Sequence, residues 1–258
     1  MSGENVIGLI AGQGRLPFTI AAGARKAGLK VVCVGLAGSV EQALAEQVDV
    51  FYTAPLARPG NWIRKLKRHG VTRAIIAGAV AKGRIFTPWR ILRYLPDWRA
   101  VRADELASGG IILQDTTKYC SQDLATPGPM TGNRPGGALA QDIEFGWPIV
   151  KKIAESDIGQ AIAVRERVVL AVEAIEGTAQ MIERTGELCK SGGWTLLKAA
   201  KAHQDMRFDV PCVGPDTIKA LAKNGAKCLV VEAGKTIIID KPETIKLADQ
   251  SGITILGR

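Results

Sequence analysis

Histidine is nearly absent from this chain of 258 residues, which has only two, and the five cysteines lie far apart with no Cys-x-x-Cys pair. So few soft donors exclude a zinc site of ordinary ligand spacing and give no disulfide framework, a usage that fits a reducing, cytoplasmic setting. Long apolar runs are missing as well. No stretch approaches the roughly 18 residues of a membrane-spanning helix, and the N-terminal dozen residues lack the basic start and apolar core of a secretory signal. Motifs that read RNA or DNA are absent, no internal repeat is visible, and the basic residues behind the net charge of +9 are spread along the chain. That surplus suits phosphorylated small molecules or an anionic membrane face, and no nucleic-acid partner is expected.

What is present is an alternation of strand and helix signals. With 47% hydrophobic residues the chain can bury a core, and its length accommodates two domains of ordinary size. Asn5–Ala11 is a short apolar run ending in small residues, followed by Gly12-Gln13-Gly14-Arg15-Leu16-Pro17 and a helix-like segment. This predicts strand, tight turn, helix. The glycines permit close backbone approach and Pro17 suits a first helical turn, so the amides exposed there are expected to face a phosphate. A dinucleotide fingerprint would have a third glycine where Pro17 stands and an acidic residue closing the second strand, and Val31–Gly38 ends without one. The turn therefore speaks for a nucleotide site over a nicotinamide site, with a purely structural turn as the plain alternative.

The alternation continues through a helix near Ser39–Glu46, a strand around Asp49–Thr53, a helix over Asn61–His69 and a strand over Arg73–Ala77. It predicts an α/β fold with a parallel, Rossmann-like N-terminal sheet. Gly78, Val80 and Lys82 follow that last strand, at the end where open α/β sheets bind ligands. They form the second expected wall of a nucleotide pocket whose first wall is Ala11, Gly12, Gln13, Gly14 and Leu16. Ile85–Arg102 then interleaves Phe86, Trp89, Tyr94 and Trp98 with arginines. It reads either as a packed helix pair or as a surface for acyl chains or a membrane.

Thr126–Gly137 is a run of breakers and places the domain boundary, giving a nucleotide-binding domain over 1–130 and a second α/β domain over 138–258. In the second half, a helix is expected over Ala140–Ala154 and strands over Ala161–Val164 and Arg167–Ala174. A helix then runs through Gln180. Glu173 and Glu176, three apart at the strand-to-helix junction, can converge on one cation or one basic partner, or Glu176 can simply occupy a first helical turn. Strands at Trp194–Lys198, Cys228–Val231, Thr236–Asp240 and Ile253–Leu256 and helices from Asp216 and from Pro242 complete the pattern.

Lys198–Leu221 is the richest stretch. It groups Lys198, Lys201, His203 and Arg207 with Asp205, Asp209 and Asp216 around Pro211, Gly214 and Pro215. Carboxylates that hold a divalent cation, flanked by cations that offset phosphate charge, are what phosphoryl chemistry needs. The bland alternative is a solvated turn with surface ion pairs.

With these stretches in hand, the chain resembles the LpxI family of UDP-2,3-diacylglucosamine pyrophosphatases. Gly8–Pro17 (GLIAGQGRLP), Asp157–Gln160 (DIGQ), Leu170–Thr178 (LAVEAIEGT) and Gln204–Asp240, which holds QDMRFDVPCVGPDTI and VEAGKTIIID, carry the resemblance. It implies two α/β domains, the first gripping uridine nucleotide and the second a diacyl sugar phosphate. The implied reaction is hydrolysis to UMP and 2,3-diacylglucosamine 1-phosphate in lipid A biosynthesis, with Mg2+ or Mn2+. Asp209 stands at the essential aspartate of the Arg-x-Asp-[Leu/Val]-Pro motif, and the cations grouped near it in the sequence, Arg207, Lys198 and Lys201, are its expected catalytic companions. Asp157, Gln160 and Thr178 are the expected substrate contacts of the second domain, and Asp209, Glu173 and Glu176 the expected metal ligands. Cys212 departs from the family, where a threonine usually follows the proline. The expected partners are a lipid-linked nucleotide sugar and a second copy of the chain in a homodimer, with peripheral contact at the cytoplasmic face of the inner membrane left open. A non-catalytic binder of a nucleotide sugar or lipid on the same fold is the alternative.

Overall fold

A computed structural model of the chain describes residues 5–56, 58–79, 104–201, 205–207 and 210–258. They form two compact units. One runs up to Ser121 and includes Met206 and Arg207; the other takes Gln122–Asp205 and the remainder up to Arg258.

In the first unit β1 (Val6–Ala11), β2 (Lys30–Leu36), β3 (Val50–Ala54), β4 (Arg73–Ala77) and β5 (Ile112–Leu113) make one parallel sheet, ordered β3-β2-β1-β4-β5. β1 and β2 read as near-continuous apolar runs because both of their faces are covered. α1 (Leu16–Lys26) packs on the face carrying Ile7, Leu9, Val31 and Cys33, and α2 (Pro59–Lys67) lays Trp62 and Leu66 on Val32, Val34 and Leu36. Each such side chain taken out of water contributes about 1.5–3 kcal/mol. Burial also pushes the Cys33 thiol up to about 12, which keeps it protonated and chemically quiet. The helix expected near Ser39–Glu46 is a 3-10 stretch, Gln42–Gln47, with Leu44 its one buried residue, too little apolar surface to hold a longer helix in place. Strand order reverses between β1 and β4, the switch point at which open α/β sheets take ligands.

The second unit is built on a six-stranded mixed sheet. Its strands are β6 (Gly128–Pro129), β7 (Ala161–Arg165), β8 (Val168–Val172), β9 (Trp194–Lys198), β11 (Ala226–Val231) and β13 (Thr254–Gly257), ordered β6-β13-β11-β9-β7-β8; β10 (Cys212–Val213) and β12 (Ile237–Ile238) form a separate pair. β9, β11 and β13 are parallel, whereas β7 runs against β9, β8 against β7 and β6 against β13. One face carries α3 (Ala138–Glu155), whose Ile143, Val150 and Ala154 meet Ile162, Val164, Leu197 and Val230. The opposite face packs Met181 and Ile182 of α4 (Thr178–Leu188), Ile218 and Leu221 of α5 (Pro215–Lys223) and Ala248 of α6 (Lys241–Gln250) on Leu196, Leu229 and Ile255. The fold is thus α/β in two domains, a parallel sheet followed by a mixed one.

The breaker run Thr126–Gly137 lies inside the second unit. Gly128 and Pro129 pair with β13, the Met130 amide donates to Ile255 O at 2.9 Å, and the Gly132 amide donates to Asp249 Oδ1 at 2.9 Å. Its prolines and glycines serve an edge strand, where a missing N–H costs little.

Candidate functional site

At the first unit's switch point the chain leaves β1 through Gly12, Gln13 and Gly14 and leaves β4 through Gly78 and Ala79. The two exits are stitched together: Gly12 N–H donates to Ala77 O at 2.8 Å, Gln13 N–H to Ala79 O at 2.7 Å and Ala79 N–H to Gln13 O at 2.9 Å. A Cβ on Gly12 would stand 2.5 Å from Ala79 O, so glycine is required there by the neighbouring main chain. This corrects the expectation for two of the amides: those of Gly12 and Gln13 serve β4 and its exit, not a phosphate. Gly14 differs. It holds a φ of 98° with open space where a Cβ would be, and its amide has no partner among the described residues. Gln13 is exposed, while Ala11 and Leu16 are buried beneath the turn. Val80 and Lys82 lie outside the described residues, as does the basic and aromatic stretch from Ile85.

In the second unit, β7 begins where β9 and β8 end, so Asp157, Gln160, Glu173 and Lys198 come to one edge of the sheet. That edge is the carboxyl end of β9 and β11. Gly159 packs so closely on the Glu173 main chain that a Cβ would lie 1.9 Å from Glu173 O. Glu173 and Lys198 are each 6% exposed. Thr178, the first residue of α4, joins them: its hydroxyl donates to Glu173 Oε1 at 3.0 Å and accepts from Lys198 Nζ at 3.2 Å. Lys198 Nζ also donates to Cys212 O at 3.2 Å, which ties the end of β9 to the start of β10. Lys201, three residues on, is ion-paired with Asp157. A buried ammonium and a buried carboxylate on one hydroxyl are costly to desolvate and mark this edge as more than a packing surface.

Glu173 and Glu176 do not converge on one partner. Glu176 turns to Arg184, at 2.6 Å, and accepts the Ala174 amide at 3.1 Å. Its own amide, with Arg184 and the Ala174 amide, holds its carboxyl below the ordinary range. Glu176 thus pairs with Arg184 without Glu173, and it stands before α4 and not in its first turn, so neither the expected convergence nor the first-turn position is seen. Glu173 Oε2, by contrast, is buried and has no hydrogen-bond partner among the described residues. Among the described residues no group of three or more His, Cys, Asp and Glu side chains could hold a metal ion. Glu173 Oε2 is the orphaned carboxylate oxygen at this edge that could accept a divalent cation, and Asp209 lies outside the described residues. His203 lies outside them too, and Arg207 belongs to the first unit, next to Met206, whose carbonyl accepts from the Thr116 amide at 3.0 Å.

Sequence reasoning missed Glu232. It follows β11 at the same edge, with its carboxylate on Lys151, Lys235 and the Ala200 amide. The signal was its place in the VEAGK segment; the partner on α3 is 81 residues away and left no local trace.

Known proteins match along the whole chain. Residues 6–115 match the LpxI N-terminal domain, and residues 126–256 match the LpxI C-terminal domain. The chain belongs to the LpxI family. One LpxI relative, the UDP-2,3-diacylglucosamine pyrophosphatase of Caulobacter vibrioides, is 28% identical over 272 residues, covering 97% of this chain and 96% of its own. Among solved structures, pyruvate carboxylase from Rhizobium etli is 14% identical with a TM-score of 0.30, over 48% of this chain and 14% of that one. Biotin carboxylase from Campylobacter jejuni has the same identity and TM-score, over 72% of this chain and 42% of its own. At such scores neither likeness speaks to activity. Both LpxI domains take in the stitched turn of the first unit and the polar edge of the second. Among the described residues no helix is long and apolar enough to cross a membrane.

Proposed function

We propose that this LpxI protein hydrolyses the pyrophosphate bond of UDP-2,3-diacylglucosamine, releasing UMP and 2,3-diacylglucosamine 1-phosphate for lipid A biosynthesis. The observation that carries the proposal is the Glu173–Thr178–Lys198 chain at the carboxyl end of β9, inside the part of the molecule that matches the LpxI C-terminal domain. Support also comes from the Caulobacter relative, whose name states that activity. In this reading Gln13 and Gly14 contact the nucleotide. Lys201, held by Asp157, offsets phosphate charge, and Lys198 fixes the main chain at Cys212, three residues beyond Asp209. Water adds to one phosphorus, the bridging P–O bond breaks, and the bridging oxygen leaves with the other phosphate. Asp209 and Glu173 would hold Mg2+ or Mn2+, which offsets charge on a diphosphate and makes a bound water more acidic.

The test is release of UMP from UDP-2,3-diacylglucosamine by the purified full chain. Equimolar UMP and lipid monophosphate are expected, with loss of turnover in EDTA and recovery on adding Mg2+ or Mn2+. Tight binding of the substrate without any cleavage would replace this reading by that of a carrier.

A further inference from the structure

Glu232 is 9% exposed, and its carboxylate is saturated: Oε2 accepts from the Ala200 amide at 2.9 Å and from Lys151 Nζ at 3.1 Å, and Oε1 accepts from Lys235 Nζ at 2.8 Å and Lys151 Nζ at 3.2 Å. Burial alone would raise its carboxyl, but Lys235, the Ala200 amide and Lys151 hold it below the usual range. With both oxygens occupied, and a negative charge that would repel a diphosphate, Glu232 is badly suited to touch the substrate. Its position is what gives it a role. Past Lys198 the chain is gripped residue by residue: the Ala199 amide donates to Gln160 O at 2.9 Å, the Ala200 amide to Glu232, and the Lys201 ammonium to Asp157. Glu232 thus supplies, from a side chain, the acceptor that a strand neighbour would otherwise provide.

We infer that Glu232 is a positioning residue for the proposed hydrolysis: it fixes Ala199–Lys201, and through that segment the Lys201 ammonium, while Lys151 and Lys235 aim its carboxylate. Lys151 comes from α3 and Lys235 from the turn after β11, so two separate elements set the direction of one carboxylate. The role rests on the hydrolysis reading, and the two can fail separately.

The experiment compares UMP release by the full chain as wild type, Glu232→Gln, Lys201→Met and the double variant, each checked for folding by circular dichroism. Glu232→Gln is expected to lower kcat about tenfold with KM within about twofold, the mark of a misplaced group. In the Lys201→Met background the same change should cost less than about twofold, because coupled residues are not additive. Full additivity, or a wild-type kcat in folded Glu232→Gln, overturns the inference. Should Glu232→Gln fail to fold, Glu232→Asp keeps the charge but draws the carboxylate back by one methylene. Faster amide exchange at Ala200 together with a lowered kcat supports the role; unchanged exchange, or faster exchange with wild-type kcat, overturns it. A wild-type protein that releases no UMP rejects the hydrolysis reading, and this role with it, before any variant is compared.

Discussion

Among the described residues of the first unit, every left-handed backbone position is held by glycine, Gly14 and Gly78 included; the second unit places Asp157, Glu166, Arg167 and Asp240 there. The left-handed region costs a residue with a Cβ about 1–2 kcal/mol, and the second unit, which also places glycines there, Gly177 and Gly225 among them, bears that cost at these four residues as well. The first uses composition, and its switch-point turn is a structure of main-chain hydrogen bonds. The second holds strained residues in place with side chains: Asp157 is tied to Lys201, and the Arg167 amide to the buried Asp142 at 2.7 Å. Strain persists where the surroundings over-determine it, and such places concentrate at working sites. The first unit should therefore behave as a binding scaffold and the second as the seat of chemistry.

The sharpest way to break that comparison is kinetic. Replacing Asp209 with Asn is expected to lower kcat by at least ~10²-fold, the scale of losing one preorganised electrostatic group. Replacing the exposed Gln13 with Ala should instead raise KM about tenfold and leave kcat within about twofold, the sign of lost ground-state binding. Steady-state UMP release on both variants decides it, and a kcat effect at Gln13 larger than that at Asp209 would reverse the assignment.

Stability gives the next contrast. Thr178→Val keeps the shape of the side chain but takes the shared hydroxyl from buried Glu173 and Lys198, leaving both under-satisfied. A loss of about 1–3 kcal/mol in urea unfolding is expected. Gln13→Ala, at an exposed position, should stay within about 0.5 kcal/mol. Equal effects would mean that the polar edge of the second unit is no more tightly organised than the surface turn of the first.

Legibility in the sequence follows the same divide. Apolar runs bounded by glycine or proline announced β1, β4 and β9, and the helical stripe of α3 showed through despite Pro148. The two-residue strands β6 and β10 did not, because a pair of residues has no periodicity to read and Gly128-Pro129 reads as a breaker. Nor does an apolar run state its direction, so nothing in the sequence marked β7 and β8 as antiparallel. At the site, Gln160, Glu173, Thr178 and Lys198 were named from sequence, and the sheet brings them to one edge. What the sequence hid was pairing: Glu176 with Arg184, Lys198 with the Cys212 carbonyl, and Glu232 with Lys151 each depend on how the chain folds back. The stitched amides of Gly12 and Gln13 were hidden for the same reason, since their acceptors lie more than 60 residues on.

A subtler variant separates strain from function. Asp157 has a φ of 55° and pairs with Lys201 through a largely exposed carboxylate. Asp157→Gly relieves the backbone cost and removes an ion pair of little intrinsic worth, so the urea midpoint should hold or rise. Turnover should nevertheless fall about threefold to tenfold, because Lys201 loses its guide. Normal turnover would show that the strain at Asp157 has no part in the site.

The smallest effect concerns the hairpin between β7 and β8. Glu166 and Arg167 form its two-residue turn with φ of 52° and 59°, the arrangement that Asn-Gly adopts most readily. Arg165 reaches across to Glu166 at 3.1 Å, but that carboxylate is mostly exposed and the pair contributes little. The Asp142 carboxylate binds the Arg167 main-chain amide, which any residue at 167 supplies. The double change Glu166→Asn with Arg167→Gly therefore keeps every bond that matters and removes most of the left-handed cost. The expected gain is about 0.5–1 kcal/mol in urea unfolding, with UMP release unaltered, since the turn lies at the end of the sheet away from Lys198 and Glu173. A gain in stability here beside a loss of turnover at Asp157→Gly would distinguish strain that the fold tolerates from strain that the site uses.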